Sequence, residues 1–242
     1  MADSPKDKDT TAAASAPKAQ GFEIKNVKTV SLPGQQLSIV AAPDADLVFA
    51  GGHTGEITAV DMAAEKPQPK AWDAHVSFVT GLVLTDKHLV SSGSDHQMIW
   101  WDRESRERVR TIPQSKWVRH LTLSPDGRLI ALCGNLCGDS STINQSEALI
   151  QVYDWQSGKL TSELRGGNFF YERVRFHHEH KWLLGMGGAG KGSMTLIDRD
   201  GQKVAEANRK SVTCDMWLSK NSDVCLTAGW DGLSKWSISS PS

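Results

Sequence analysis

Between His75 and Asp102 the chain reads HVSFVTGLVLTDKHLVSSGSDHQMIWWD, three apolar runs parted by polar turns. Val79, Leu82 and Leu84 carry the first run, Asp86-Lys87 interrupts it, LVSSGSD comes next, and the third run closes on Trp101-Asp102. Alternation over runs this short, broken by turn residues, predicts antiparallel strands. The pattern returns along the chain. Val60, Trp101, Tyr153, Ile197 and Trp236 mark one strand position at spacings of 41, 52, 44 and 39 residues, and an Asp succeeds each of the first four. The turn before the second strand returns too, as APDAD at 42–46, SPDGR at 124–128, HHEHK at 177–181 and LSKNSD at 218–223. In SPDG, Pro presets φ and Gly tolerates a positive one. Four-stranded repeats run at about 40–45 residues, so the chain holds five copies.

The second copy resembles the WD40 repeat position by position. Trp101-Asp102 stands at the Trp-Asp pair, Asp95 at the tight-turn aspartate and Ser91 at the small hydroxyl of the second strand. His75 stands at the histidine of the Gly-His entry, where Ala74 replaces the Gly. The resemblance implies that His75, Ser91, Asp95 and Trp101 link in series as a structural network. A buried indole N–H needs an acceptor, and an unmade bond on a buried polar group costs about 1–3 kcal/mol. The other copies are degenerate. Thr54 replaces the turn aspartate in the first, and Tyr153 and Ile197 replace the Trp in the third and fourth. The fifth keeps Thr227, Asp231 and Trp236.

The implied fold is all-β, a β-propeller of five recognisable four-stranded blades over residues 22–242. The blades fall at about 22–31 with 209–242, 32–72, 73–112, 113–164 and 165–208. The last copy supplies three strands, and residues 22–31, FEIKNVKTVS, are expected to complete it as family propellers close, covering two sheet edges. Family propellers more often have seven blades. Two readings stay open: a closed five-bladed monomer, or a shortened ring that self-associates or is completed by another chain. Residues 1–21, rich in Ala, Ser, Thr, Pro and mixed charge, cannot support a core and are expected to be disordered.

Composition narrows the partners. A net charge of −1 draws the chain to neither nucleic acid nor an acidic membrane. No apolar run approaches the roughly 18 residues of a membrane span, and the N-terminal stretch lacks the apolar centre of a secretory signal. Of the four cysteines, Cys133, Cys137, Cys214 and Cys225, three lie in or beside apolar strand runs, where a thiol acts as a small hydrophobe. A cytoplasmic location is expected.

Candidate chemistry is sparse. GMGGAGKG at 185–192 nearly spells a phosphate loop, but the adjoining SMTLID at 193–198 reads as a strand where that loop requires a helix. His177-His178-Glu179-His180 lacks the i, i+4 spacing of helical metal ligands and occupies a turn slot, where adjacent imidazoles are expected to diverge. Cys133 and Cys137 have no matching second pair. No catalytic residue, metal or cofactor is expected. The resemblance implies a non-catalytic scaffold for protein–protein interaction. The alternative is a metal- or nucleotide-binding or enzymatic module built on an insert at 135–147, the Gly-rich turn or the His cluster.

The insert lengthens the third copy between its second and third strands, and includes Asn135 and Asp139. Trp117, Phe169 and Phe170 fall in connections between copies, and Trp230 precedes the turn residue Asp231. All map to one face. Large aromatics at loop tips are frequent interface anchors, so Trp117, Asn135, Asp139, Phe169, Phe170 and Trp230 form the candidate partner-binding face.

Overall fold

The computed structural model describes residues 26–43, 46–136, 148–165, 171–179, 182–187, 193–208, 213–230 and 232–239. The chain divides into two compact parts, Met1–Ser31 and Leu32–Ser242. In the first part, residues 26–31 carry no strand, so the closing strand expected over 22–31 is not formed there; residues 22–25 lie outside the described residues. Asn26 and Thr29 instead exchange side-chain hydrogen bonds at 2.9 and 3.3 Å. Such local bonds compete with a sheet ladder.

The second part is built from meanders of consecutive strands. Sheet one is β1 (Gln36–Ala41), β2 (Leu47–Gly52), β3 (Glu56–Asp61) and β4 (Lys70–Asp73). Sheet two is β5 (Val79–Leu84), β6 (His88–Gly93), β7 (Gln97–Asp102) and β8 (Arg108–Pro113). Sheet three is β9 (Lys116–Leu123), β10 (Leu129–Leu136), β11 (Ala148–Asp154) and β12 (Leu160–Arg165). Sheet four is β13 (Tyr171–Phe176), β14 (Trp182–Gly187), β15 (Ser193–Asp198) and β16 (Lys203–Asn208). Sheet five has three strands rather than four: β17 (Thr213–Leu218), β18 (Val224–Gly229) and β19 (Gly232–Ser237). All pairings are antiparallel, and no helix occurs among the described residues.

The sheets repeat in register. Trp101 lies opposite Leu89, Tyr153 opposite Ile130, Ile197 opposite Leu183, Val60 opposite Val48 and Trp236 opposite Cys225. The aspartate after the marker position closes the next turn. Asp61, Asp102, Asp154 and Asp198 each accept backbone N–H groups two to four residues on, at 2.7–3.2 Å. This is the Asx-type turn that a short carboxylate makes readily. The hydroxyls of Thr85, Ser124 and Ser219 do the same for the turn before the second strand. Each first strand also carries one unpaired bulge residue at the same place: Leu37, Thr80, Arg119, Glu172 and Cys214. Bulges of this kind sharpen local twist.

Each first strand packs on the next, β1 on β5, β5 on β9, β9 on β13 and β13 on β17; among the described residues no comparable contact joins β17 to β1. Ser38 Oγ donates to Val79 O at 2.9 Å and Thr80 Oγ1 to Val118 O at 2.6 Å. Arg119 reaches Glu172 at 3.3 Å and Arg173 reaches Asp215 at 3.1 Å. Apolar cores fill the gaps between consecutive sheets. On β7, Ile99 and Trp101 face the core shared with sheet one, while Met98 and Trp100 face that shared with sheet three. Burial on both faces explains the unbroken run MIWW, and each such side chain contributes about 1.5–3 kcal/mol. Three arginines from the loop and outer strand of sheet two lie over tryptophan rings: Arg106 on Trp72, Arg108 on Trp101 and Arg110 on Trp100, at 5.3–5.5 Å. No helix is long and apolar enough to cross a membrane among the described residues.

Candidate functional site

The four side chains singled out in the second copy are joined in series. The Trp101 indole donates to Ser91 Oγ at 2.8 Å, and Ser91 Oγ meets His75 Nε2 at 2.7 Å. His75 Nδ1 lies 2.9 and 3.0 Å from the two Asp95 oxygens, and the Val76 amide donates to the same carboxylate at 3.1 Å. Burial pushes the Asp95 carboxyl up, but the bond and charge of His75 and the amides of Val76 and Gln97 outweigh it and leave the group below its usual range. A Ser–His–Asp series invites a catalytic reading. Ser91 is wholly buried and takes the indole on its oxygen, so the series ties the entry of β5 to β6 and β7.

The other sheets keep the place and change the groups. In sheet five Trp236 donates to Thr227 Oγ1 at 3.0 Å, while Asp231 lies outside the described residues. In sheet four Tyr171 Oη donates to Thr195 Oγ1 at 3.1 Å. In sheet three Gln114 precedes Val118 as His75 precedes Val79, and Tyr153 Oη lies 3.4 Å from Gln114 Oε1 and 3.2 Å from Gln151 Oε1. Lys116, fully buried, donates to Gln151, whose amide donates to Glu163 at 2.9 Å.

Of the candidate partner-binding residues, Trp117 and Trp230 have described side chains, and both are exposed. Trp117 lies within β9 and not in a connection, 41 % exposed. Asn135 is the seventh residue of β10, opposite Ala148 and Trp117, so the strand continues into what reads as an insert. The ladder extends there because Gly134 admits Trp117 O where a Cβ would come within 2.0 Å of it. Asp139, Phe169 and Phe170 lie outside the described residues. The structure adds Val76, strongly exposed, and Phe78, 50 % exposed. A sequence signal for Phe78 exists: Phe78, Trp117 and Phe170 each stand one residue before the pairing that precedes the first-strand bulge, at Val79, Val118 and Tyr171. Because β5 packs on β9, Phe78 and Trp117 sit at the same end of neighbouring strands.

The remaining motifs acquire local roles. Residues after the Gly-rich turn form strand β15, which leaves no helix N-terminus for a phosphate. His177 and His178 do not diverge as expected; their ring centroids are 4.2 Å apart. His177 accepts the Glu179 amide at 3.0 Å through Nδ1, the part the Thr85, Ser124 and Ser219 hydroxyls play in other sheets, and packs on Trp182. His178 holds Ser222 Oγ with its amide at 3.0 Å, which brings sheets four and five together at their turns. Ligand atoms of His177, His178 and Glu179 come within 4.8 Å of one another. A metal on His177 Nε2 would need the proton on Nδ1, where the Glu179 amide already points. Cys133 is a buried free thiol that burial pushes far up.

No family model matches the chain. Among solved structures, Kuenenia stuttgartiensis hydrazine synthase is similar with a TM-score of 0.70 and 16 % identity, over 86 % of this chain and 59 % of that one. The chain therefore spans less than two thirds of that neighbour, and at this identity the likeness is one of fold. Folds of this kind host unrelated activities.

Proposed function

We propose that the chain is a WD40-type β-propeller domain that serves as a non-catalytic platform for other proteins in the cytoplasm. The observation that carries this reading is the pair Phe78 and Trp117, half-exposed aromatics at one repeat position, the first just before β5 and the second in its neighbour β9. Val76, two residues before Phe78, is strongly exposed as well. Large aromatics of this kind dominate the binding energy of protein interfaces. The repeated register, the His75–Asp95 series and the unpaired cysteines support the family and the compartment. The test is affinity capture with the intact chain, Phe78→Ala and Trp117→Ala, each checked for an unchanged melting temperature. Partners held by the intact chain and lost from both variants support the reading; an unchanged set from folded variants overturns it.

A second reading rests on sheet five. Met216, Cys225 and Trp236 face sheet four, and the alternate side chains face away. That outward face carries Trp217 at 56 % exposure, Leu226 and Leu233 at 86 %. Apolar groups gathered on one sheet face mark an interaction surface. We infer a shortened propeller that self-associates through this face. Light scattering tests it: Trp217→Glu should lower the mass if copies pair there, and a monomeric intact chain sinks it.

A further inference from the structure

A pocket of about 280 Å³ opens among the turn ends of sheets three, four and five, lined by Thr122, Arg175, His178, Met216, Trp217 and Lys220 among others. Its charged lining is one-sided. Arg175 and Lys220 bring two fixed positive charges, and among the described residues no carboxylate lines it. The larger pocket of about 400 Å³ between sheets three and four is balanced, with Arg128 and Arg199 against Asp126 and Asp198.

Arg175 is the telling group. Its Nη1 donates to His120 Nε2 at 2.7 Å and to Val174 O at 3.3 Å. Its Nε and Nη2 have no hydrogen-bond partner among the described residues. Asp215 is bonded by Arg173 at 3.1 Å and by the Met216 amide at 2.9 Å. His120 accepts from Arg175, so its proton sits on Nδ1, which is buried and also unpartnered. Asp215 acts on Arg175 through charge alone, with no hydrogen bond to it, so the half-buried guanidinium bonded to a neutral ring and a carbonyl keeps free donors for an anion. Guanidinium forks suit carboxylate and phosphate oxygens. Beside it, Met216 and Trp217 offer an apolar wall, the usual partner of a few placed polar groups in small-molecule sites. Two acids contact lining residues: Glu179, 3.7 Å from His178, and Asp223, which accepts from Ser219 Oγ.

We propose that this pocket binds a small organic oxyanion, a carboxylate or phosphate monoester whose head group pairs with Arg175 and Lys220 and whose apolar body lies on Met216 and Trp217. This site does not rest on the Phe78 and Trp117 face, and it shares Trp217 with the face inferred for self-association. The test is thermal shift of the full chain with phenyl phosphate, with phenylacetate and with uncharged benzyl alcohol, at constant chloride. A saturable rise with one or both anions and none with the alcohol is the expected result, and the stronger anion identifies the head group. Arg175→Gln should abolish the rise, and Lys220→Ala, an exposed position, should weaken binding about threefold or more. If Arg175→Gln does not fold, Lys220→Ala and Trp217→Ala decide. No saturable rise with either anion, or a rise unchanged in the folded variants, overturns the proposal.

Discussion

His75 and Asp95 meet through both carboxylate oxygens at 2.9 and 3.0 Å, with the two side chains almost wholly shielded from water. Removing either leaves the other buried without its partner. His75→Ala and Asp95→Ala should each lower stability by about 1–3 kcal/mol. Trp236 is only half-buried, so water can replace its acceptor, and Thr227→Val should cost less, about 0.5–1 kcal/mol. Urea unfolding of the three variants checks the order.

The same pair sets a pH dependence. Burial alone would raise the Asp95 carboxyl, but His75 and the backbone amides hold it below its unfolded value, near 3.9. A lowered folded pKa means the stabilisation is complete above the unfolded value and is lost as pH falls through the folded one. Stability from this group should therefore be flat from about pH 5 upward and decline below about pH 4. Asp95→Asn should show a shallower acid decline, measured by unfolding at stepped pH.

Two glycines separate strain from collision. Gly55 has φ of +102° and a Cβ there would lie 2.0 Å from His75 O; Gly127 has φ of +70° with open space around it. Gly127→Ala should cost about 1–2 kcal/mol, the left-handed penalty alone. Gly55→Ala must also displace the turn whose carbonyl takes the Ala74 and His75 amides, and should cost more. Thermal melts of both variants test this.

The thiols should react in order of access. Cys214 is exposed, while Cys133 and Cys225 are buried; burial raises Cys225 to about 11 and Cys133 further. Because the thiolate is the nucleophile, iodoacetamide on the folded chain should label Cys214 and spare Cys133 and Cys225 until urea unfolds it. Peptide mass spectrometry reads the outcome.

How much of the fold is legible in the residues depends on how chemistry is spelled. The marker positions are readable because Trp101-Asp102, Tyr153-Asp154 and Ile197-Asp198 all end an apolar run on a carboxylate that caps a turn. Gln114 is not, because an amide in the place of His75 matches no motif, though it reaches the same strand position through Tyr153. Phe78 escapes the reading because it precedes the alternating run that starts at Val79, and periodicity does not say where the neighbouring sheet stops covering a residue. Asn135 reads as loop because a polar, Gly-bearing stretch gives no alternation, while its backbone still pairs with Trp117 and Ala148. The closing strand is an inference from what the fifth sheet lacks, and Asn26 with Thr29 shows a local bond taking precedence over its described part.

The meander order of the sheets has a consequence for the chain as it is made. A ribosome releases residues in order, and segments fold as they emerge. Sheet two can complete its ladders and its His75–Asp95 link once its outer strand is out, because every partner of Trp101 in that link lies upstream of it. Its second face cannot be covered so early: Val90, Met98 and Trp100 wait for Val118 and Leu121 of the next sheet. A nascent chain thus carries a single uncovered apolar face that moves forward one sheet at a time. A pause in translation with Pro113 clear of the ribosome and β9 still inside it would leave Trp100 bare, a face for a chaperone to cover.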